Sequence, residues 1–308
     1  MKSSIYDIII VGGGPAGLTA GLYASRARLK TLLVEKVALG GQVTKSEQIE
    51  NYPGFEKGIS GFELIQNLEK QAKGFGLTVE TGEVQDILSL DKNKKTLKVH
   101  DRELHCRALI IATGSESNAL GVPGEDTLLG RGVSYCATCD GAFFRDREVA
   151  VVGGGDAAVE EALFLARLVK KVHIIHRRDE LRAIKILQER DLSHEKIAFI
   201  WNTVVEKIKG ENSVEALSLK NVKDGSSSSL AVDGVFIYVG LSPNTTWLND
   251  RLPLTDQGFI ETNDAMETSL PGIFAAGDVR HKLLRQIATA VGDGSTAAFA
   301  AEKYLDAL

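Results

Sequence analysis

Two glycine-rich loops constrain the fold of this chain more than any other feature of its sequence. The first reads Gly12-Gly13-Gly14-Pro15-Ala16-Gly17, and the second reads Gly153-Gly154-Gly155-Asp156-Ala157-Ala158. Each loop follows a short apolar run and precedes a helical pattern. A strand, a glycine turn and a helix in this order are typical of the βαβ unit that binds a dinucleotide. The repeated pattern therefore predicts two dinucleotide-binding units in one chain.

Hydrophobic runs and helical spacing around the loops predict an α/β fold. Buried strands are predicted at Tyr6–Val11, Thr31–Glu35, Ala108–Gly114, Glu148–Val152, Val172–His176 and Gly234–Gly240. Helices are predicted from Pro15 to about Arg28, at Phe62–Lys73, at Val159–Val169 and from Arg285 to about Leu305. Alternating polar and apolar residues predict antiparallel strands around Thr78–Leu90 and Thr96–Val99.

Length and charge limit the classes of protein to consider. The 308 residues favour two domains. A net charge of −5 argues against non-specific nucleic-acid binding. No apolar run approaches the ~18 residues of a membrane helix, so we expect no membrane association. Three cysteines are too few for a secreted disulfide scaffold, which favours a cytoplasmic location.

The first loop matches Gly-x-Gly-x-x-Gly. Gly12 permits a sharp turn, Gly14 lets the backbone approach a pyrophosphate, and Gly17 allows close packing of helix against strand. Pro15 suits the first turn of a helix, and the helix N-terminus attracts negative charge. Glu35 ends the second strand, where a carboxylate can accept hydrogen bonds from ribose hydroxyls. This loop alone does not decide between FAD and NAD, and a glycine turn without a ligand is the alternative.

The second loop repeats the arrangement with Gly153, Gly155 and Ala158. Its second strand ends in a basic run and not in a carboxylate: His176, Arg177 and Arg178, followed by Arg182. Guanidinium groups can bind a 2′-phosphate through two hydrogen bonds each, so this unit is predicted to prefer NADPH over NADH. The alternative is a solvated basic strand end.

A Cys-x-x-Cys lies between the two loops. Cys136 and Cys139 are close enough in sequence to form a disulfide, and Asp140 follows directly as a possible acid–base group. Three alternatives remain open: a zinc site, a structural disulfide and two inert buried cysteines. Cys106 beside His105 is the only candidate for a further ligand pair, and its spacing does not suit zinc. Cys106 is expected to be a small core residue.

Taken together, these motifs resemble the bacterial low-molecular-weight thioredoxin reductases over essentially the whole chain. The residues that carry the resemblance are Gly12–Gly17, Gly40–Gln42, Glu50–Gly54, Cys136–Gly141, Gly153–Glu161, His176–Arg178, Ser242–Asn244, Gly277-Asp278 and Arg285–Ile287. The chain departs from the family pattern at Gly141–Phe144, Gln286–Ala290 and Gly292–Ser295. These departures concern the fit of the partner and the surroundings of the flavin.

The resemblance implies FAD and NADPH as cofactors, a homodimer, and roles for individual residues. Residues implied at FAD are Gly12, Gly14, Pro15, Ala16, Gly17, Glu35, Lys36, Gly41, Gln42, Asn51, Asp278, Arg285, Gln286 and Ile287. Residues implied at NADPH are Gly153, Gly155, Asp156, Ala157, Ala158, His176, Arg177, Arg178 and Arg182. Cys139 would face the flavin, Cys136 would attack the partner disulfide, and Asp140 would act as general acid.

The family also implies how the chain is divided. Residues 1–116 and 246–308 would form a discontinuous FAD-binding domain. Residues 117–245 would form an inserted NADPH-binding domain that carries the Cys-x-x-Cys, and both would be three-layer ββα, Rossmann-like domains. Because the nicotinamide and the disulfide must reach the same flavin in turn, we expect a domain rotation about Thr113–Ser117 and Gly240–Asn244.

The predicted function is that of an NADPH-dependent thioredoxin reductase. Two electrons would pass from NADPH through FAD to the Cys136–Cys139 disulfide and on to thioredoxin or a thioredoxin-like protein. One alternative is a flavin disulfide reductase that serves a peroxidase-linked carrier. Another, from a different class, is a redox-inert regulator that senses NADPH, although such a protein has no need of a dithiol.

Overall fold

The computed structural model describes residues 5–46, 49, 51–185, 187–188 and 194–308. The chain forms two compact units: unit 1 is Met1–Glu116 with Ser242–Leu308, and unit 2 is Ser117–Leu241. Residues 242–245, which the sequence-based division assigns to the inserted part, fall in unit 1. Each unit contains a parallel sheet, which confirms the predicted α/β class with one Rossmann-like unit inserted into another.

The strands of both units are numbered here in chain order. They are β1 (Tyr6–Val11), β2 (Thr31–Glu35), β3 (Thr78–Thr81), β4 (Val84–Asp91), β5 (Lys94–Val99), β6 (Arg102–Ile111), β7 (Ser115–Ser117), β8 (Val133–Ser134), β9 (Glu148–Gly153), β10 (Lys171–Ile175), β11 (Ile197–Ile200), β12 (Thr203–Lys209), β13 (Ala216–Asn221), β14 (Ser227–Ala231), β15 (Gly234–Tyr238), β16 (Leu241–Pro243) and β17 (Ile273–Ala275). The α-helices are α1 (Pro15–Arg26), α2 (Gly61–Gly74), α3 (Ala137–Asp140), α4 (Asp156–Ala166) and α5 (Ile287–Asp306). Short 3-10 helices span Gly41–Lys45, Gly141–Phe144, Thr246–Leu248 and Gly277–Val279.

In unit 1, β3, β2, β1, β6 and β17 form a parallel sheet in that order. The first half of β6 also pairs with β5, which pairs with β4, so an antiparallel meander branches from the same strand. The prediction that Thr78–Thr81 is antiparallel was wrong, since β3 pairs with β2 in parallel. Alternation of polar and apolar residues shows that a strand is half-buried, but it does not identify the partner strand.

Alternate residues of β1 contribute to two different cores. Ile8 and Ile10 pack with α1, α2 and α5 on one face of the sheet, whereas Ile9 and Val11 pack with the β4–β5 meander on the other. All four side chains are buried. Successive side chains of a strand point to opposite faces of the sheet, and both faces are covered here, as is typical of a parallel sheet. The sheet and its two coverings give unit 1 three layers.

Unit 2 repeats this plan. Its parallel sheet has the order β11-β10-β9-β15-β8, and a second, antiparallel sheet has the order β12-β13-β14. Val149 and Val151 of β9 pack towards α4, while Ala150 and Val152 pack towards the antiparallel sheet. The glycine loop between β9 and α4 thus occupies the same place as the loop between β1 and α1.

Local backbone conformation explains where two helices depart from their predicted ends. Helix α1 ends at Arg26, two residues before the predicted end, and Arg28 adopts a left-handed φ of 63° that an α-helix cannot continue through. Helix α5 starts at Ile287 because Gln286 is extended and caps the helix.

The two expected hinge segments contain the boundaries between the units. Within unit 1, the Thr113 hydroxyl donates to the Asn244 carbonyl (2.8 Å), and the Asn244 amide donates to the Thr113 carbonyl (3.0 Å). Strands β7 and β16 pair in a two-stranded ribbon. No helix in the described part of the chain is both long enough and apolar enough to cross a membrane.

Candidate functional site

The first glycine loop is crowded at two glycines and open at the third. A Cβ at Gly12, whose φ is +108°, would overlap the Ala112 carbonyl, and a Cβ at Gly17 would overlap the Gly12 carbonyl oxygen. A Cβ at Gly14 would meet nothing within 4 Å. Packing therefore requires glycine at the first and last positions. The open space at Gly14 lies at the N-terminus of α1, where backbone N–H groups favour a phosphate.

This difference predicts that alanine at Gly17 affects folding stability, whereas alanine at Gly14 affects FAD binding. Gly17→Ala should destabilise the cofactor-free protein by about 3 kcal/mol, because the new methyl group has no room. Gly14→Ala, the matched control, should leave that stability within about 1 kcal/mol and should weaken FAD retention instead. Urea unfolding of cofactor-free protein and flavin absorbance per purified chain measure the two effects. Normal flavin content in Gly14→Ala would contradict a pyrophosphate at this loop.

Two segments lie directly against the first loop. The Gly13 N–H donates to the Glu35 carboxylate at 2.7 Å, so Glu35 lies beneath the loop at the end of β2. The Gly40 N–H donates to the Gly13 carbonyl at 2.9 Å, and a Cβ at Gly41 would lie 4.0 Å from the Gly14 Cα. The loop, Glu35 and Gly41 therefore form one surface, as the prediction for a flavin nucleotide requires.

Two of the predicted FAD residues lie at the exposed margin of this surface. Gln42 is exposed within the 3-10 helix that starts at Gly41. Lys36 is also exposed, and its ammonium pairs with Glu83 at 2.7 Å. The Lys36 ammonium therefore has a partner within the protein, whereas the Glu35 carboxylate contacts the glycine loop itself.

The C-terminal residues predicted for FAD also reach unit 1's glycine loop. A Cβ at Gly277 would lie 2.9 Å from the Ala16 Cβ, which places the Gly277-Asp278 turn against the first turn of α1 beside Pro15. The Asn51 amide donates to the Gln286 side chain at 3.1 Å, directly before Ile287 begins α5.

Two buried polar atoms in this region have no hydrogen-bond partner among the described residues: Asp278 Oδ1 and Arg285 Nε. Burial raises the pKa of Asp278, while the charges of Lys282 and Arg285 oppose this shift. Buried polar atoms without partners are costly, and native proteins usually satisfy them with a ligand or water. Together with the open space at Gly14, these atoms fit a polar nucleotide such as FAD.

The second glycine loop shows the same contrast. A Cβ at Gly153 would lie 2.6 Å from the Tyr238 carbonyl oxygen and 2.7 Å from the Ala158 Cβ, whereas a Cβ at Gly155 would meet nothing within 4 Å. Helix α4 begins at Asp156, directly after Gly155. The exposed Ala157 follows in the first turn. The second loop therefore offers the same space for a phosphate.

The segment around Arg182 is fastened to this second loop. The Arg182 N–H donates to the Gly154 carbonyl at 2.6 Å, and the Ile184 N–H donates to the Asp156 carboxylate at 2.8 Å. Asp156, predicted as a cofactor contact, thus also holds the arginine-bearing segment in place.

The three predicted arginines lie close to His176. His176 is buried beneath Gly154, whereas Arg177, Arg178 and Arg182 are exposed. Burial lowers the pKa of His176, and the positive charges of these three arginines lower it further. His176 Nε2 has no hydrogen-bond partner among the described residues. Exposed guanidinium groups beside a glycine loop fit a phosphorylated ribose.

Cys136 and Cys139 form a disulfide, with their Cα atoms 5.3 Å apart. Both are half-buried, and they flank the start of α3, which follows β8. The two sulfurs are bonded to each other, and the described ranges contain no cluster of three or more metal-ligating side chains. Cys106 is fully buried inside β6, as expected, and burial raises the pKa of its thiol to about 12.

Asp140 lies beside this disulfide in a mostly buried position. Its carboxylate accepts a hydrogen bond of 2.6 Å from the Ser134 hydroxyl, which also accepts from the Cys136 N–H at 3.0 Å. Burial raises the pKa of Asp140, and the hydrogen bond from Ser134 only partly offsets this effect. A carboxyl group that keeps its proton to higher pH than an exposed aspartate suits a general acid.

Sequence reasoning did not identify two residues that hold the disulfide segment. Ser134 links Asp140 to Cys136, and its position two residues before Cys136 was the only available signal. Tyr238, at the end of β15, accepts a hydrogen bond of 2.6 Å from the Ala137 N–H. Burial is the main cause that raises the pKa of Tyr238, so its phenol stays protonated. No local pattern links Tyr238 to the cysteines, because 101 positions separate it from Ala137.

The two phenylalanines after the disulfide have different environments. Phe144 is buried and packs edge-to-face on Phe236, with ring centroids 5.4 Å apart. Phe143 is 49% exposed. Of this pair, therefore, only Phe143 is available to a partner protein.

Comparison with known proteins gives a consistent result. Residues 6–294 match the family model described as pyridine nucleotide-disulphide oxidoreductase. A thioredoxin reductase of Listeria monocytogenes is 52% identical over 100% of this chain and 96% of its own length. That of Bacillus subtilis is 49% identical over 100% of this chain and 97% of its own. The crystal structure of thioredoxin reductase from Streptococcus pyogenes is 47% identical, covers 100% of both chains and superposes with a TM-score of 0.94.

Proposed function

Because the chain belongs to the pyridine nucleotide-disulphide oxidoreductase family, we propose that it transfers two electrons from NADPH, through FAD, to the Cys136–Cys139 disulfide and on to the disulfide of thioredoxin. It is an oxidoreductase, and FAD and NADPH are its cofactors. The observation that carries the proposal is a half-buried disulfide in a chain with two separate dinucleotide loops.

The roles of the chain's own residues follow from their surroundings. Unit 1 would hold FAD with the first loop, Glu35, Gly41 and the Asp278 turn. Unit 2 would hold NADPH with the second loop and the arginines near His176. When bound, FAD supplies the relay between a two-electron donor and the disulfide.

At the disulfide, two electrons pass from this chain to thioredoxin by thiol–disulfide exchange. Reduction of Cys136–Cys139 gives two sulfur atoms that together take up two electrons and two protons. Attack of the Cys136 thiolate on a thioredoxin disulfide forms a mixed disulfide, which Cys139 then resolves, so the chain's own disulfide re-forms and thioredoxin leaves as a dithiol. Asp140, held by Ser134, would donate the proton that the leaving sulfur needs.

A redox titration tests the proposal directly. The purified protein should be yellow, and anaerobic NADPH should bleach its visible absorbance. Titration with a thiol reagent should then find two more accessible thiols per chain than before reduction. Bleaching with no gain in thiols would separate flavin reduction from disulfide reduction and would contradict the proposed electron path. It would also leave room for a flavin enzyme of another kind.

Replacing Arg177 and Arg178 with alanine should weaken the use of NADPH selectively. Each hydrogen bond to a charged group contributes about 1.5–3 kcal/mol, or roughly ten- to a hundredfold in affinity. We expect KM for NADPH to rise by at least this factor while KM for NADH stays within about twofold. Steady-state kinetics with both nucleotides measure the ratio. Lys223→Ala, which removes a cation paired with exposed Asp179 nearby, is the control. Equal losses with both nucleotides would contradict a 2′-phosphate at these arginines.

The partner, assembly and location complete the proposal. Thioredoxin is favoured over a peroxidase-linked carrier because the relatives from Listeria monocytogenes and Bacillus subtilis are named thioredoxin reductases. A homodimer is supported by the family resemblance and by exposed aromatic side chains on the helices of unit 1: Tyr23, Phe62 and Phe299. Light scattering after size-exclusion chromatography tests it. A cytoplasmic location agrees with the reducing conditions in which a dithiol donor operates.

A further inference from the structure

A buried group of charges lies beside the Gly277-Asp278 turn, outside the motifs expected to bind FAD. At its centre is Asp293, in the second turn of α5. One carboxylate oxygen pairs with Arg280 Nη1 at 2.9 Å, and the other pairs with Lys282 Nζ at 2.7 Å. The Gly277 N–H donates to the same second oxygen at 3.0 Å. The three charged side chains are only 10–12% exposed.

Burial of these charges is not explained by stability alone. Removing ions from water is costly, and a buried ion pair often contributes no more than well-packed apolar side chains would. Asp293 nevertheless receives two cations and a backbone N–H within a few ångströms. Such a cluster is expected where a particular backbone conformation must be held.

The backbone that Asp293 holds leads directly to Asp278. Gly277 adopts a left-handed φ of +77°, and its peptide N–H is the group bonded to Asp293. Glycine has more conformational freedom than any other residue, so this turn needs an external contact to stay fixed. Asp278, the next residue, has a buried carboxylate oxygen with no hydrogen-bond partner among the described residues.

Asp293 is itself fixed relative to the first glycine loop. A Cβ at the adjacent Gly294 would overlap the Ala16 carbonyl oxygen, so α5 lies in close contact with the first turn of α1. Helix α5 therefore carries Asp293 at a set distance from the loop expected to bind the pyrophosphate. The same helix begins at Ile287, next to Gln286.

The charges of the cluster also suit an anionic ligand. When the neighbouring Asp278 and Arg285 are included, three positive charges (Arg280, Lys282 and Arg285) face the two carboxyl groups of Asp278 and Asp293. Arg285 lies over the Phe259 ring at 4.3 Å, and its Nη2 group donates to the Arg280 carbonyl at 3.3 Å. A buried cluster with more cations than anions favours a ligand that brings negative charge, as a dinucleotide pyrophosphate does.

We propose that Asp293 is a positioning residue for FAD: by holding the Gly277 N–H, Arg280 and Lys282, it keeps the Asp278 turn in the conformation that accepts the flavin nucleotide. Asp293 lies outside the residues that the resemblance assigns to FAD. The inference rests on the FAD assignment of the proposed function.

The test compares Asp293→Asn with Asp306→Asn, an exposed aspartate at the end of the same helix. Full-length protein is freed of flavin and titrated with FAD, and quenching of flavin fluorescence gives Kd. Urea unfolding of the same flavin-free proteins gives their stability. Asp293→Asn should raise Kd about tenfold or more, because one amide cannot replace a carboxylate that serves two cations. Asp306→Asn should leave Kd unchanged, and Asp293→Glu should recover part of the affinity.

Two results would overturn the proposal. If Asp293→Asn lowers the stability of flavin-free protein and leaves Kd unchanged, Asp293 is only a structural residue. If Asp293→Asn does not fold, Lys282→Met, which removes one ion pair, replaces it, and an unchanged Kd has the same meaning. Failure of wild-type protein to bind FAD would instead contradict the proposed function, so the two failures are distinguishable.

Discussion

Replacing both Cys136 and Cys139 with serine should lower thioredoxin-dependent turnover by at least about 10³-fold. Bleaching of the flavin by NADPH should persist. Serine hydroxyls cannot form the disulfide that accepts the electron pair when its S–S bond breaks, so electrons reach the flavin and are not passed on to a disulfide. The two cysteines are the members of the disulfide in the structure, which makes them the direct targets. NADPH oxidation with thioredoxin as acceptor measures the loss, and anaerobic stopped-flow absorbance measures the retained step.

The third cysteine provides the matched control for that experiment. Cys106 is fully buried in β6, and its thiol pKa of about 12 keeps it protonated and unreactive. Cys106→Ser should retain turnover, apart from any loss of stability from a hydroxyl in the core. The single variants Cys136→Ser and Cys139→Ser should each be as inactive with thioredoxin as the double variant, because either change removes the disulfide. Appreciable turnover in the double variant would contradict the whole electron path.

Replacing Asp140 with asparagine should lower thioredoxin reduction by about 10²-fold or more, the usual contribution of a positioned general acid. Asparagine preserves the size of the side chain, but its amide is too weak an acid to protonate a leaving sulfur. Flavin bleaching by NADPH should continue at the wild-type rate, because Asp140 belongs to the disulfide segment. Rapid mixing of reduced enzyme with thioredoxin isolates the affected step. An unchanged rate would show that the proton comes from solvent or from another group.

The pH dependence of the same step gives an independent check, and its sign follows from the surroundings of Asp140. Burial raises the pKa of Asp140, so the proton is retained to higher pH than in an exposed aspartate. An acid acts only while protonated, and the rate should therefore fall as pH rises through this raised pKa. Asp140→Asn should lose that dependence.

Ser134→Ala should shift the dependence towards higher pH. The Ser134 hydroxyl donates to the ionised carboxylate and so lowers its pKa; without it, Asp140 would keep its proton longer. A shift to lower pH would contradict the assignment of the acid.

The raised pKa of Asp140 also makes the folding stability of the wild type decrease with increasing pH. The folded protein keeps the Asp140 proton at pH values where the unfolded chain has already lost it, so the wild type loses stability as pH rises from the ordinary aspartate pKa to the raised one. Asp140→Asn, which has no such titration, should gain stability relative to the wild type across that window.

Much of the fold and of the site could be predicted because the signals are local in sequence. A strand, a glycine turn and a helix follow one another without a break in each dinucleotide unit, from Tyr6 to Arg26 and from Glu148 to Ala166, and their order alone indicates the βαβ arrangement. The strand at Thr31–Glu35 has the predicted bounds. The Cys-x-x-Cys needs only two intervening residues to form a disulfide. Likewise, the basic run at His176–Arg178 lies at one strand end.

The sequence by itself therefore determined the α/β class, the two nucleotide loops and the dithiol, since each depends on residues that neighbour one another along the chain. The tertiary structure alone decided that Gly17 is packed while Gly14 is open, that β3 is parallel to β2, and that Tyr238 holds Ala137. It also decided that Asp293 holds Gly277. The physical reason is that hydrogen bonds and steric contacts between distant segments depend on how strands and helices pack in space, and no local pattern of residue types specifies that geometry.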